Sequence, residues 1–331
     1  MLKLILAGVM AAGLAADAAQ ALPAAPPPSP ANELILLGTH GGPSADPDRS
    51  EPASLLVIGG RPYLIDAGAG VARQLAVAGE KVTDIRTIFI THHHLDHTAG
   101  LEPLISLSWI GTGFSGKSPP PVQVYGPPAT RFLVGAAINY LSVSERIFRA
   151  GIPSLPKAAG MFVGHDIDHD GLAFQDDRVK VTAVENAHFS HKSYGPDGQK
   201  DRSLSYRFDT PAGSVVFTGD TGPSEAVTRL AKGADVLVSE VYLPRPPSDP
   251  RTNAGSPVGR ELTEHMNREH LTPEDVGRMA TAAGVKTLIL SHLVISPGPE
   301  TVQRLEAEVR KTYSGKLIVG QDLLRFELKA P

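Results

Sequence analysis

Cysteine is absent from all 331 residues. That excludes disulfides, thiolate metal ligands and a cysteine nucleophile together, so any metal must be held through nitrogen and oxygen. An excess of positive charge is absent too. Lys and Arg number 31 against 35 Asp and Glu, a formal net charge of -4, and the signs are mixed along the chain, which predicts no basic field for a polyanion. Internal repeats of solenoid type are missing as well. What is present is a 41% hydrophobic content, enough at this length to bury a large α/β core in one domain or two closely packed halves.

The N-terminus reads as a separate unit. Lys3 precedes the apolar run LILAGVMAAGLAA and the small residues ADAAQA, the layout of a secretory signal peptide over residues 1–21, cleaved after Ala21 with Ala18 as rival. The run is too short for a stable membrane anchor, and without cysteine there is no lipidation site. An exported, most simply periplasmic, soluble protein is expected. Residues 22–32 are a proline-rich spacer that cannot pack, and the folded domain is placed at 33–331.

From there strand-like and helix-like patterns alternate. ELILL, SLLVI, PYLID, IRTIFI and VQVYG read as strands, with helices at VARQLAVAG, TAGLEPLISLSWI and ATRFLVGAAINYLSVSERIFRAG. The second half adds VKVTAV, the hairpin SLSYRFDTPAGSVVFTGD, and the strands DVLVSEV, KTLILSH and KLIV, with helices at SEAVTRLAKG, TPEDVGRMATAAG and TVQRLEAEVRKTY. Two sheets packed face to face with helices outside are predicted. Segments 115–121, 152–170 and 244–257 read as loops walling a cleft, and substrate choice is assigned to irregular loops at 101–121, 152–178 and 243–270.

The chemistry concentrates in THHHLDHTAG, residues 91–100. In an extended segment 92, 94 and 96 point the same way while 97 turns at the bend, so two cations can share one loop. Imidazole and carboxylate suit zinc, and a cysteine-free set suits manganese or iron almost as well. A lone histidine would be read as polar surface, but H-x-H-x-D-H is a metal-ligand spacing. His93, between two such positions, is expected to point away. A rival pattern, DIDHDGLAFQDD, matches part of a calcium loop at Asp166, Asp168, Asp170, Gly171 and Asp177. It lacks the flanking helices such a loop needs and reads as a solvated turn.

The motif, with LIDAG at 64–68, ENAH at 185–188, FTGDTG at 217–222 and LILSH at 288–292, resembles the metallo-β-lactamase fold superfamily from about Glu33 to Arg325. The resemblance implies a four-layer αβ/βα sandwich binding two divalent ions, most simply Zn2+, with Mn2+ or Fe2+ as alternatives. It implies that His92, His94 and His188 hold one ion, Asp96, His97 and His292 the other, and that Asp220 bridges them. His191 competes with His188, which is preferred because it follows its strand directly. Asp66 is implied as an outer carboxylate steadying the ligand loop, the acceptor that metal-bound histidines generally need.

LLGTHGGPSADPDRSEPASLLVIGGRPYLIDAG, VYGPP, SEVY and EHLTPEDVGRMA are similar to the ribonuclease Z and zinc-dependent arylsulfatase branch, with His40 where that branch usually has glycine. That branch implies a hydroxide bridging the metals and oriented by Asp96, with His270 and Glu240 as a proton-donating pair; a surface ion pair is the alternative for those two. The expected activity is arylsulfatase- or phosphodiesterase-like hydrolysis of a small-molecule ester. A lactonase or β-lactamase-like hydrolase is the alternative. A metal-free scaffold and a tRNA 3′ processing nuclease are set aside, the latter on the expected export, the charge, and the lack of a long basic, glycine-rich insertion. No nucleic-acid partner is therefore expected, and a homodimer is compatible with the sequence.

Overall fold

The computed structural model describes residues 32–195, 198–245, 255–296 and 298–329; the signal-peptide reading lies outside them. The chain opens with β1 (Asn32–Gly38), β2 (Ala53–Ile58), β3 (Arg61–Ile65), α1 (Val71–Val77), β4 (Thr87–Phe89) and the single turn α2 (Leu95–Thr98). It continues through α3 (Leu101–Ser115), β5 (Val122–Gly126), α4 (Thr130–Gly151), β6 (Phe162–Asp166), β7 (Gly171–Gln175) and β8 (Lys180–Glu185). Then follow β9 (Leu204–Thr210), β10 (Gly213–Phe217), α5 (Glu225–Leu230), β11 (Val236–Tyr242), α6 (Pro257–Glu269) and α7 (Pro273–Ala283). β12 (Thr287–Val294), α8 (Pro299–Arg310), β13 (Lys316–Val319) and β14 (Arg325–Glu327) end it.

The strands form two seven-stranded sheets, ordered β14-β1-β2-β3-β4-β5-β6 and β13-β12-β11-β10-β9-β8-β7. Their apolar runs are continuous because both faces of each sheet are covered. Side chains alternate across a strand, so Ile35 and Leu37 of β1 pack with Leu104, Ile105 and Trp109 of α3. Leu34 and Leu36, on the other face, meet Val215 and Val238 of the opposite sheet. β12 divides likewise: Ile289 enters the layer between the sheets, while Leu288 and Leu290 face Val276 and Ala280 of α7. Three apolar layers between four structural layers give the αβ/βα sandwich that was expected. Phe89 sits at the centre of the middle layer, 5.1–5.7 Å from the rings of Tyr125, Phe174, Tyr206 and Phe208.

Four elements differ from the sequence reading. β6 and β7 replace parts of the predicted loops, and both are edge strands, where few apolar residues are needed. α6 replaces much of the irregular segment predicted at 243–270. Its start is written in Ser256-Pro257: the Ser256 hydroxyl accepts from Gly259 N–H, with proline in the first turn, a combination that favours initiation. β14 has only three residues and exists through pairing with β1.

The acidic segment at 166–177 is not a cation loop. Its carboxylates are spread along two edge strands and each meets a basic side chain: Asp166 pairs with Arg131, Asp168 with His169, Asp170 with Arg202, and Asp176 and Asp177 with Arg61.

Candidate metal centre

β3, β4, β5 and β6 run parallel, as do β10, β11, β12 and β13, and the functional side chains gather beyond their carboxyl ends. This is where α/β sheets generally leave a crevice. The segment 91–97 leaves β4, His188 follows β8, Asp220 follows β10, and Glu240 and His292 lie within β11 and β12. Four distant segments therefore meet at one edge of the sandwich.

Two groups of donors result: His92, His94 and His188 in one, and Asp96, His97, Asp220 and His292 in the other. His94 Nδ1 lies 3.1 Å from His92 Nε2 and 3.0 Å from His188 Nε2. Donors on a tetrahedral zinc, with Zn–N of 2.0–2.1 Å, stand roughly 3.3 Å apart. In the second group His292 Nε2 lies 3.3 Å from Asp96 and 3.1 Å from Asp220, and His97 Nε2 lies 3.4 Å from Asp220. Asp220 also stands 3.9 Å from His92 Nε2 and 4.0 Å from His188 Nε2, between the groups.

His97 Nε2 and Asp220 Oδ1 are buried without a hydrogen-bond partner, and such orphaned atoms are costly unless something else satisfies them. A cation between them would, so the donor set fits divalent metal. Electrostatics agree. Burial drives His92 well below, and His188 down to about 3, so both present lone pairs. At His97 and His292 burial opposes charge, but Asp220 outweighs it, raising His97 well above its ordinary value and His292 to about 10. Burial likewise opposes charge on Asp96 and Asp220, yet hydrogen bonding and attraction from the histidines hold Asp96 down to about 2 and Asp220 well below the usual range. The carboxylates stay ionised and demand positive charge beside them.

The supports are equally specific. Asp66 is buried and accepts from Thr91 N–H at 2.8 Å, from the Thr91 hydroxyl, and from His97 Nδ1 at 2.9 Å. It does so at φ 58°, a left-handed conformation uncommon outside glycine. His292 is the other such residue here, at φ 43°. Pairing shifts from Ser239↔Leu290 to Val241↔Leu293, so Ser291 and His292 together face only Glu240, and this bulge re-aims both side chains. Glycine at 219, φ 58°, lets the chain before Asp220 pass Thr91, where a Cβ would meet the Thr91 side chain at 3.0 Å.

Glu240 and His270 are buried, so they are not a surface ion pair. His270 Nδ1 lies 2.7 Å from Glu240 Oε2, and Glu240 Oε1 accepts from Thr221 N–H. Burial lifts the Glu240 carboxyl, and it opposes charge on His270, but the facing Glu240 holds the His270 imidazole above its ordinary value. His93 turns away to Thr130 Oγ at 3.0 Å, as expected. His191 is more than half exposed, 3.7 Å from Glu269, and outside both donor groups.

A cavity of about 500 Å³ opens over the donors, lined by His40–Ser44, His94–Asp96, Asp220, Tyr242–Leu243, Arg245, Leu262–Thr263, His265–Met266, His270 and His292 with Val294–Ile295. The predicted walls at 115–121 and 152–170 take no part. They lie on other elements of the first sheet's side, whereas the real walls come from the β1–β2 connection and from α6. His40, Tyr242, His265 and Met266 were missed, because neither a turn histidine nor one face of an unpredicted helix carries a motif.

Residues 61–293 match the β-lactamase superfamily domain; the chain belongs to this superfamily, in its metallo-β-lactamase fold, and is a metal-dependent hydrolase acting on ester bonds. Within it, the chain is 30% identical over 301 residues to ribonuclease Z of Mycobacterium bovis (strain BCG), covering 89% of this chain and 98% of the relative. In fold it is similar to the protein YhfI of Bacillus subtilis, TM-score 0.65 at 20% identity over 89% of this chain and 99% of that one. The short form of human tRNase Z gives TM-score 0.62 at 19% identity over the same shares.

These relatives correct three expectations. A sulfate-ester or other small-ester hydrolase that excludes RNA is not upheld, because the relative matched over nearly its whole length is named for an RNA nuclease. The expectation of no nucleic-acid partner falls with it: net charge sums the whole surface and does not report the field at one site. The export expectation is corrected by the same finding, since RNA is a substrate met inside cells. Export was also the main ground for setting aside the nuclease.

Proposed function

We propose that this protein is a metal-dependent phosphodiesterase that cleaves RNA in the manner of ribonuclease Z. The observation supporting the reaction is the convergence of seven donors into two groups that meet at Asp220. The RNA substrate is carried over from the M. bovis relative. In this reading His92, His94 and His188 hold one divalent ion and Asp96, His97 and His292 a second, with Asp220 shared, and zinc is the best match to the imidazole-rich set. When bound, such ions polarise a phosphoryl oxygen and acidify water toward neutrality.

The chain's own residues do the rest. Thr91 and Asp66 fix the rings of His92 and His97, and the Glu269 carbonyl accepts from His188 Nδ1 at 3.0 Å. Each ring thereby turns its other nitrogen inward. Asp96, 3.3 Å from His292 Nε2, accepts a proton from attacking water on the side facing the cavity. Glu240 fixes His270 Nδ1, leaving Nε2 to carry a proton to the departing ribose oxygen, a contribution of about 10² to 10⁴-fold.

The test is metal-loaded protein incubated with a tRNA precursor bearing a 3′ trailer. Release of the trailer, abolished by chelator and restored by zinc or manganese, supports the reading. No cleavage of this RNA at saturating metal refutes it.

A further inference from the structure

A second imidazole–carboxylate pair lies on the cavity rim beside Glu240–His270. His265 and Glu269 occupy successive turns of α6, and His265 Nδ1 lies 3.0 Å from Glu269 Oε2. The Glu269 side chain is fully buried. Its Oε1 accepts from the Ser190 hydroxyl and, at 3.3 Å, from Arg268. A carboxylate at that depth is expensive unless its partners are fixed, and here the partner on the cavity side is one ring. With Nδ1 engaged, Nε2 is the nitrogen His265 has left to offer, and the ring lines the cavity together with His270, Asp220 and His94. Its centroid lies 5.7 Å from that of His270 and 5.9 Å from that of His188. Two donors, each reaching about 2.8 Å to an oxygen, can grasp one phosphate from rings at this spacing.

Building on the phosphodiesterase reading, we propose that His265 is a further substrate-contacting residue, whose Nε2–H donates to a non-bridging oxygen of the scissile phosphate while His270 serves the leaving oxygen. Glu269 is a positioning residue: it selects the tautomer that keeps the proton on Nε2 and stops the ring from turning. Charge on the non-bridging oxygens is stabilised by a donor already aimed there, which is where a fixed donor contributes most. The two pairs differ in origin. His270 lies between α6 and α7, while His265 depends on the i, i+4 geometry of α6 alone, a spacing that brings side chains together on a helix.

The experiment compares metal-loaded wild type with His265→Ala, His265→Gln and Glu269→Gln. The substrates are the tRNA precursor and bis(p-nitrophenyl) phosphate; kcat and KM are determined separately, with metal content and thermal midpoint for each variant. His265→Ala is expected to lose about 10²-fold, mainly in kcat, as for other single transition-state donors. His265→Gln, which keeps an N–H near the Nε2 position, should recover most of that loss, with metal content unchanged in both. Rates equal to wild type in His265→Ala overturn the proposal. So does a loss that tracks metal release or that glutamine does not recover, since either makes His265 a prop for His188. Wild type inert on both substrates overturns the phosphodiesterase reading and this proposal together, an outcome told apart by the wild-type rate alone.

Discussion

Replacing Asp66 by asparagine isolates the electrostatic support of the second donor group, because shape and backbone are nearly preserved. Asparagine tolerates the left-handed φ of 58° found at this position, so little strain is added. Its carbonyl oxygen can still accept from Thr91 N–H, now at 2.8 Å from Oδ1. The amide nitrogen then replaces Oδ2 and confronts His97 Nδ1 at 2.9 Å, setting donor against donor. His97 relieves this by moving its proton to Nε2, the nitrogen 3.4 Å from Asp220. A lone pair aimed at the ion position becomes an N–H. The lost charge-assisted bond is worth about 1.5–3 kcal/mol. Outer partners of metal-bound histidines typically govern 10–100-fold in affinity, about 1.4–2.8 kcal/mol, and the two figures agree. Asp66→Asn is therefore expected to weaken one of two zinc sites by 10–100-fold in a chelator competition, with the other site unchanged. Equal affinity at both sites, or equal weakening of both, would refute the argument that Asp66 acts through His97.

Three further outcomes follow from the geometry. Asp220→Asn removes the negative group standing between the two donor groups, so elemental analysis at limiting zinc should fall from two ions per chain toward one, with slower turnover; two ions at wild-type rate would mean that Asp220 is not shared. His270→Ala should lose about 10² to 10⁴-fold on RNA and much less on a nitrophenyl diester, whose leaving group departs unaided; equal losses would assign His270 to binding. Away from the site, burial opposes the Asp176 charge, but the Tyr63 hydroxyl at 2.6 Å, the backbone N–H groups of Arg178 and Val179, and Arg61 together lower its pKa. A carboxylate depressed by folding stabilises above its unfolded pKa of about 3.9, and this is lost as pH falls through the lower folded value. Urea denaturation should therefore show a smaller loss of stability below about pH 4 in Asp176→Asn than in wild type; identical pH dependence would remove Asp176 from that role.

The sequence by itself determined the layering and the residue types at the centre. Runs such as ELILL and LLVI are apolar at every position, and only strands covered on both faces use such runs; Leu34 and Ile35 indeed enter different layers. H-x-H-x-D-H likewise is local, because one short loop carries its spacing wherever it is placed. Tertiary structure decided what no local pattern encodes. His188, Asp220 and His292 reach His92 only because four strands end at the same edge. The bulge that aims His292 at Asp220 is a register shift between β11 and β12, a property of the pair and not of either strand. α6 was legible in its Ser-Pro start, but the cavity it walls was not, and His265 gains a meaning only when Glu269 is buried behind it. The substrate was misread for a related reason: net charge and an N-terminal pattern are sums and local signals, whereas recognition of a phosphate depends on a few donors that folding brings within about 3 Å of one another.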